Sequence, residues 1–544
     1  MNLIRPAALM FAAILLFQTN ARASEDVKLD APPLGMTSTT AHLADVLAAH
    51  TRAIGRLSSA ATHASIDTWS FTRAGTAGTE KLERSGSDYR SHIEHGPFVE
   101  EFGQFNGVRW HRDYNGFTTT TTRVEDQSFA PLRSLGDVRD PKNDVTLAGE
   151  SADPAAYVLK VMRPQYKHPQ WVFIDKKTSV IDRVESVYGK RRVISTYDDY
   201  RVTSGLNEPW HIHDSDGRKL LDSDWRRSAF AETTSISPAT FAPPHAATTV
   251  ASGFAGGAQS ATRMLRGDVI VRVSIGGRGL DFLLDSGEPE SIIDADVARE
   301  LNLPSYGANT KLEDGRPIAY ETMADDLTAG PLRLQHFAFL VERYNYEAGF
   351  DTKVVGILGY DFLANTVLKI DYANAAADLL PRTDFDKGNP VAASYTLPFT
   401  LDDGRPMVNM IIGESQSQRV VLNTAMPYTV VFGKYMDAHG SDFTDDKNAP
   451  RAKRMVPFAD DNSFGSEATV WVSHAHHLGF ALSDFQNFGV LATNLSYSFA
   501  DDDDVDALLG LNYLCYYDVY FDYPHDRIII KPNDLFFKQF KKIP

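Results

Sequence analysis

The C-terminal half of the chain repeats itself, and this repeat limits the possible folds more than any other feature of the sequence. In the first block of each copy, two aliphatic residues lead into Asp or Asn, then a hydroxyl residue and a small residue. A later block carries a hydrophobic-Leu-Gly element. The matched pairs are 283–293 with 421–431, 327–341 with 477–491, and 354–372 with 507–523. Three blocks in the same order indicate two copies of one strand-rich unit of roughly 110–130 residues.

Length and composition are those of a globular protein with several domains. The chain has 544 residues, of which 43% are hydrophobic and 23% are charged, and this length allows roughly three or four domains. The net charge of −17 argues against nucleic acid as a partner, because nucleic-acid binding requires a basic surface. The single cysteine, Cys515, excludes an intrachain disulfide framework and a cysteine-based zinc site.

The first 23 residues have the pattern of a secretory signal peptide. Arg5 precedes the apolar run 7–17, and Ala21-Arg22-Ala23 provides a small-x-small cleavage pattern. The apolar run is too short to span a bilayer, which requires about 20 apolar residues. We therefore expect cleavage after Ala23, a periplasmic or secreted protein, and no membrane span.

The pattern of residues 37–232 predicts a helix followed by a curved antiparallel sheet. Apolar residues recur at helical spacing over 38–55, and β-type runs with turn residues between them follow, including an Asn-Gly turn in 105–110 and three strands over 171–197. Between Thr233 and Thr262 no residue is charged, and Ala, Thr, Pro and Gly dominate. We interpret 233–262 as a linker. The predicted fold class is mainly β.

The first copy of the repeat carries an Asp-Ser-Gly motif directly after an apolar strand. The motif is Asp285-Ser286-Gly287, with Ser291 six positions after the Asp and Leu358-Gly359 about 70 residues later. On its own the tripeptide is also typical of a surface turn, because Asp, Ser and Gly all favour turns. The apolar strand before it and the two β-branched residues after Ser291 favour a functional loop.

With these elements, residues 263–381 resemble a lobe of the retropepsin-like aspartic proteases. The resemblance implies a small β-barrel lobe, of which two are required for each active site, so that 395–535 would be a second lobe. It further implies a site without a metal or cofactor, with Asp285 as the catalytic carboxylate and the remaining motif residues as loop support. Two neighbouring aspartates in such a site share one proton, and together they activate a water and protonate the scissile carbonyl.

The second copy departs from this pattern. It has Asn423-Thr424-Ala425 where Asp-Ser-Gly is expected, with Thr429 and Gly510 at the positions of Ser291 and Gly359. An amide cannot deprotonate, so a site formed by both lobes of one chain would lose the shared proton. Glu288 is also larger and more charged than the small residue usual after the motif. Two arrangements stay open: a homodimer that pairs two first lobes, or an in-chain pairing of the two lobes.

These observations favour an aspartic-type endopeptidase that acts on peptides or proteins through Asp285 and an activated water. The first alternative is a catalytically impaired pseudoprotease that binds peptides between its lobes. A second comes from residues 37–230, which resemble periplasmic lipoprotein carriers in the helix 43–55, the strand 105–113 and the turn after Asp175. That resemblance implies a carrier of a hydrophobic ligand. The histidine pairs 211/213 and 474/476 and the acidic run 501–504 lack ligand spacing, so we expect no metal.

Overall fold

The fold was analysed in a computed structural model. The described residues are 30–55, 64–73, 75–120, 138–163, 168–188, 191–203, 205–244, 251–254, 261–307, 312–313, 316–317, 320–344, 353–447, 449, 451–456, 466–481, 483–494, 497–498 and 504–540. The proposed signal peptide and residues 501–503 lie outside them. The structure is mainly β, as the sequence predicts. No helix among the described residues is long and apolar enough to cross a membrane.

The described residues of the N-terminal part form helix α1 (Leu43–Ile54), which packs on a 14-stranded sheet. All neighbouring strands of this sheet are antiparallel, and β2 pairs with β14 to join the two halves of the meander. The strands are β1 Met36–Thr37, β2 Ala64–Arg73, β3 Thr76–Ser85, β4 Asp88–His95, β5 Phe98–Phe105, β6 Val108–Arg112, β7 Thr118–Thr120, β8 Asp144–Ala152, β9 Ala155–Met162, β10 Gln170–Asp175, β11 Ile181–Tyr188, β12 Arg191–Thr203, β13 Leu206–Ser215 and β14 Ser223–Thr233.

Helix α1 faces the sheet with its apolar side. Val46 is buried among Trp69, Phe71 and other aromatic and aliphatic side chains of the sheet. His50 is fully buried, and its Nδ1 donates to the Ser179 carbonyl at 2.9 Å. The predicted combination of a helix and an antiparallel sheet is therefore confirmed.

The first copy of the repeat forms an eight-stranded sheet and contributes two further strands to a second sheet. Its strands are β15 Ala251–Phe254, β16 Thr262–Leu265, β17 Asp268–Ile275, β18 Arg278–Leu284, β19 Ile292–Asp294, β20 Leu312–Glu313, β21 Arg316–Pro317, β22 Tyr320–Ala329, β23 Leu332–Glu342, β24 Val354–Leu358, β25 Val367–Asp371 and β26 Ala376–Leu380, and its helices are α2 Ala295–Glu300 and α3 Tyr360–Leu363. The isolated pair β20–β21 is separate from both sheets.

The second copy forms a nine-stranded sheet with the same local connections. Its strands are β27 Tyr395–Pro398, β28 Thr400–Asp402, β29 Arg405–Ile412, β30 Ser415–Leu422, β31 Val430–Val431, β32 Phe443–Asp445, β33 Ala452–Val456, β34 Ser466–Phe480, β35 Ser483–Thr493, β36 Tyr497–Ser498, β37 Asp504–Val505, β38 Ala507–Leu509, β39 Tyr517–Asp522 and β40 Arg527–Pro532, and its helices are α4 Gly433–His439, α5 Leu511–Leu514 and α6 Asp534–Phe540.

Corresponding strands of the two copies pair in the same way. The strand before each motif, β18 or β30, runs parallel to β24 or β38. The short strand after the motif, β19 or β31, is antiparallel to β24 or β38 and parallel to β23 or β35. The repeat in the sequence is therefore a repeat in the fold.

A five-stranded sheet joins the two copies. Its order is β26-β25-β39-β40-β27, so that strands of the first copy continue directly into strands of the second. Val367 opposes Asp522 and Asp371 opposes Asp518 across the β25–β39 seam. This shared sheet holds the two copies side by side within one chain.

The segment 233–262, which the sequence suggests is a linker, has structure of its own. Phe241 is buried, and its carbonyl accepts a hydrogen bond of 2.9 Å from Trp110 Nε1. Strand β15 pairs with β23 at the edge of the first-copy sheet. The described parts of this segment, 233–244, 251–254 and 261–262, therefore pack against both neighbouring parts of the chain.

Candidate active site

The two motif loops begin at the ends of matching strands. Asp285 directly follows strand β18, and Asn423 directly follows strand β30. Near their C-terminal ends both strands consist of buried aliphatic and aromatic residues. The Asp285 N–H donates to the Leu358 carbonyl at 3.0 Å, and the Asn423 N–H donates to the Leu509 carbonyl at 3.1 Å. The same backbone contact therefore fixes the start of each loop.

The two motif loops are hydrogen-bonded to each other through the hydroxyl groups of Ser286 and Thr424. The Ser286 N–H donates to Thr424 Oγ1 at 3.1 Å, and the Thr424 N–H donates to Ser286 Oγ at 3.0 Å. Each hydroxyl then donates to the carbonyl before the other motif, Ser286 to Leu422 at 2.8 Å and Thr424 to Leu284 at 3.1 Å. Both side chains are buried. The two lobes of a single chain therefore meet at their motif loops.

These hydrogen bonds bring the side chains of Asp285 and Asn423 together next to Gly287. Asp285 Oδ1 accepts from the Gly287 N–H at 2.7 Å, and Asn423 Oδ1 accepts from the Ala425 N–H at 2.9 Å. A Cβ on Gly287 would lie 3.2 Å from Asp285 Oδ1 and 3.0 Å from Asn423 Cγ, and it would collide with Asn423 Nδ2. Glycine is required here because the Asn423 amide approaches the backbone so closely.

Charge at the site depends on burial and on one arginine. Burial raises the pKa of Asp285 to about 6, against the opposing effects of the Gly287 N–H and of the Arg405 cation. Arg405, at the start of β29, donates from Nε to the Gly287 carbonyl at 3.1 Å and lies 3.4 Å from Asp403. Behind the loop, the buried Tyr523 hydroxyl donates to the Ser286 carbonyl at 3.4 Å.

Ser291 and Thr429 support the two loops from behind. The Ser291 hydroxyl donates to Asp361 at 2.5 Å, and the Ser291 N–H donates to the same carboxylate at 3.0 Å. The Ser291 Oγ also accepts a hydrogen bond of 3.1 Å from the Gly359 N–H. In the second lobe, the Thr429 N–H and hydroxyl both donate to Asn512 Oδ1, at 2.7 and 2.9 Å.

The glycine after each aliphatic element allows a close backbone contact. A Cβ on Gly359 would lie 2.6 Å from the Glu288 carbonyl oxygen, and a Cβ on Gly510 would lie 2.6 Å from that of Met426. Leu358, just before Gly359, is fully buried. These residues therefore determine how closely the motif loop packs on the following helix.

The N-terminal sheet also reaches this region, at a contact that the sequence analysis missed. The loop after β6 carries Asn115, whose Nδ2 donates to Asp361 at 2.8 Å and whose Oδ1 accepts from the Ala338 N–H at 2.8 Å. His111 lies between Asp403 and Glu100, each at 3.0 Å. Burial opposes the imidazolium charge, but hydrogen bonds to both carboxylates raise the pKa of His111 to about 10.

No sequence signal predicts the contacts of Asn115 with Asp361 and Ala338 or of His111 with Asp403, because each joins residues more than two hundred positions apart. Arg405 follows an Asp-Asp-Gly turn that resembles any surface hairpin, and His111 lies in an ordinary strand. Among the described residues, no group of histidines, cysteines and acids is arranged to hold a metal ion. Of the histidine pairs in the sequence, His211 lies 2.8 Å from Asp198, and His476 lies 3.2 Å from the Thr444 hydroxyl.

The two motif loops therefore meet, and they consist of Asp285, Ser286 and Gly287 in the first lobe and Asn423, Thr424 and Ala425 in the second. The supporting residues lie one layer behind the loops: Ser291, Leu358 and Gly359 in the first lobe, and Thr429 and Gly510 in the second. This arrangement brings one titratable carboxyl and one amide together at the loops. The catalytic role of Asp285 stays a prediction.

One match to a family model supports the resemblance of the first lobe to the aspartyl proteases. Residues 271–362 match the family model described as aspartyl protease. A search of curated protein sequences finds no significant match. Basic 7S globulin from soybean is 12% identical, with a TM-score of 0.29, over 53% of this chain and 95% of that chain.

Two further solved structures each match about a third of the chain. A LolA superfamily protein from Nitrosomonas europaea is 14% identical, with a TM-score of 0.27, over 37% of this chain and 98% of that chain. A DUF1329 family protein from Desulfovibrio piger is 14% identical, with a TM-score of 0.27, over 36% of this chain and 95% of that chain. The match to the family model confirms what the Asp-Ser-Gly motif predicts: the first lobe, which carries Asp285, is similar to the aspartyl proteases.

Proposed function

We propose that the chain is an exported aspartic-type endopeptidase that cleaves peptides or proteins through Asp285 and an activated water. The observation that carries this proposal is the reciprocal hydrogen bonding of Ser286 and Thr424, which places Asp285 beside Asn423 within one chain. We infer that the two lobes of a single chain form the substrate cleft, and that the protein acts in the periplasm or outside the cell.

The chemistry of this cleft differs from that of a symmetric pair of aspartates. Above a pH of about 6, where the pKa of Asp285 lies, its carboxylate is a base that can take a proton from water. Asn423 can donate a hydrogen bond from Nδ2 to a substrate carbonyl, but it cannot release a proton. Asn423 therefore orients the carbonyl, and the proton for the carbonyl oxygen must come from elsewhere.

The test is hydrolysis of a mixed peptide library by the full chain, with products read by mass spectrometry between pH 3 and 9. We expect Asp285→Asn to lower the rate of cleavage by about a hundredfold or more, the usual contribution of a general base. Glu300→Gln, at the exposed end of α2, is the matched control. Equal cleavage by wild type and Asp285→Asn would refute the proposal.

A second candidate is a pseudoprotease that binds peptides without cleaving them, and the amide at Asn423 favours it. In that case peptides would bind between the lobes, and Asp285→Asn would leave their affinity nearly unchanged. Binding of library peptides without any cleavage, measured by calorimetry on the same samples, would support this candidate over the endopeptidase.

A further inference from the structure

The Asp285 loop carries a second carboxyl group that the second lobe lacks. The Glu288 N–H donates to the Asp285 carbonyl at 3.3 Å, with Ser286 and Gly287 at the central positions of the turn. Asp285 and Glu288 are therefore the first and last residues of a β-turn, which brings their α-carbons within about 7 Å. The corresponding residue of the second loop is Met426, which cannot titrate.

Contacts on both sides fix the position of Glu288. Its carbonyl accepts from the Tyr360 N–H at 2.8 Å, just as the Met426 carbonyl accepts from the Leu511 N–H at 2.8 Å. Because Gly359 has no side chain, helix α3 can approach this carbonyl. The turn is therefore held by the same packing that holds the motif itself.

The charges around Glu288 favour its neutral form. Its side chain is partly buried. Burial raises the pKa of Glu288 to about 8, the Arg405 cation opposes this shift, and the carboxylates of Asp285, Glu342 and Glu290 add to it. Asp285 faces the same arginine, and its pKa lies near 6. At neutral pH the turn therefore holds one ionised carboxylate and one protonated acid.

We propose that Glu288 is the second catalytic carboxyl group of the cleft and supplies the proton that Asn423 cannot. This inference rests on the proposed function. A pair of acids with separated ionisation is the arrangement that a general base and a general acid require. Here the pair would come from one turn of one lobe, with Asn423 as a hydrogen-bond donor opposite.

The reaction balances with these two groups. In the first step a water oxygen bonds to the scissile carbonyl carbon while Asp285 takes one water proton, and Glu288 gives its proton to the carbonyl oxygen, which leaves a tetrahedral diol. In the second step Asp285 gives its proton to the amide nitrogen as the C–N bond breaks. One diol hydroxyl then returns a proton to Glu288. Asp285 ends ionised and Glu288 ends protonated, as they began.

This assignment predicts an optimum near neutral pH. Activity requires Asp285 to be ionised and Glu288 to be protonated. The rate should therefore rise as pH passes about 6 and fall as pH passes about 8, following the two pKa values. Because the two carboxyl groups interact, these limbs belong to the pair as a unit.

The test combines kinetics with a titration that does not depend on activity. The full chain, Glu288→Gln, Asp285→Asn and the control Glu300→Gln are assayed for kcat and KM from pH 4 to 10. The Glu288 carboxyl is titrated by carbon-13 NMR in wild type and in Asp285→Asn. Thermal unfolding confirms that each variant is folded.

We expect Glu288→Gln to lower kcat by about a hundredfold, with KM little changed, and to abolish the fall in rate above pH 8. In the titration, Glu288 should shift to lower pH when Asp285 is neutralised. Unchanged kcat and pH profile in Glu288→Gln, with Asp285→Asn inactive, would overturn the role of Glu288 alone. Absence of the titration shift would also overturn it. A wild type without cleavage, or an active Asp285→Asn, would overturn the proposed function as well.

Discussion

The two motif loops have nearly the same backbone contacts and quite different chemistry. Asp285 and Asn423 each accept a hydrogen bond from the N–H two residues later. Behind them, Asp361 and Asn512 each accept from the hydroxyl residue six positions after Asp285 or Asn423, which is Ser291 or Thr429. In both positions the second lobe has an amide where the first has an acid. The fold requires an acceptor oxygen at these positions, and an amide provides one without a titrating proton.

Under the proposed function, this comparison makes the second lobe a scaffold for the first. The hydroxyl and N–H groups of Thr424 hold the Asp285 loop in place, whereas Asp285, Glu288 and the raised pKa values of both belong to one turn. The chemistry of an aspartic protease site would then be asymmetric, although its structure is nearly symmetric.

Exchanging the two motif residues should have the largest effect. In Asp285→Asn/Asn423→Asp the carboxylate moves to the second lobe, where Met426 replaces Glu288. We expect the double variant to stay about a hundredfold or more below wild type in kcat, as low as Asp285→Asn alone, because the turn that carries the moved base has Met426 and no acid at its last position. Recovery of kcat in the double variant would show that the lobes are chemically equivalent.

Removing the buried histidine that joins the N-terminal sheet to the second lobe should have the next largest effect. His111→Gln leaves Glu100 and Asp403 without their shared cation, and breaking a buried ion pair in this way costs about 3–5 kcal/mol of unfolding free energy. His92→Gln is the matched control, because His92 is half-exposed and its partner Glu101 keeps Arg90 and Arg112. Urea unfolding measures the difference.

The effect of His111 should depend on pH in a defined direction. Its folded pKa of about 10 lies above the ordinary value of about 6.5. The stability that its charge contributes is therefore fully present below pH 6.5 and is lost as pH rises towards 10. The difference between wild type and His111→Gln should shrink over this interval, and a difference that grows with pH would contradict the assignment.

Removing the hydrogen bonds of the Thr424 hydroxyl should lower the free energy of unfolding by a smaller amount. Thr424→Val leaves the Ser286 N–H and the Leu284 carbonyl buried without their partner, and each such group costs about 1–3 kcal/mol. We expect a loss of about 2–4 kcal/mol in urea unfolding. Thr424→Ser keeps the hydroxyl and should stay close to wild type. If Thr424→Ser loses as much as Thr424→Val, the methyl group and not the hydroxyl is responsible.

The sequence predicts the local parts of this site because they are encoded locally. Aliphatic strands that lead into Asp285 and Asn423, and the Leu-Gly elements around Gly359 and Gly510, indicate equivalent positions in two copies. The family resemblance implies that the remaining motif residues support the loops, and in the structure Ser286 and Thr424 hydrogen-bond across them.

Contacts between distant segments have no such signal. Arg405 reaches the Gly287 carbonyl only because the β28–β29 turn folds against helix α3, where Gly404 lies next to Tyr360. His111 meets Asp403 only through the docking of the N-terminal sheet. Likewise, the apolar composition of 233–262 suggests a linker, but it does not show that Phe241 is buried against Trp110.

The dependence of cleavage rate on protein concentration tests the central claim most directly. If Asp285 and Asn423 of one chain form the site, the rate of peptide cleavage per chain is constant over several decades of protein concentration. If two chains must pair their first lobes, as a homodimer would, the rate per chain falls towards zero on dilution. We predict a constant rate. A rate per chain that rises with concentration, or no cleavage at any concentration, would contradict the account.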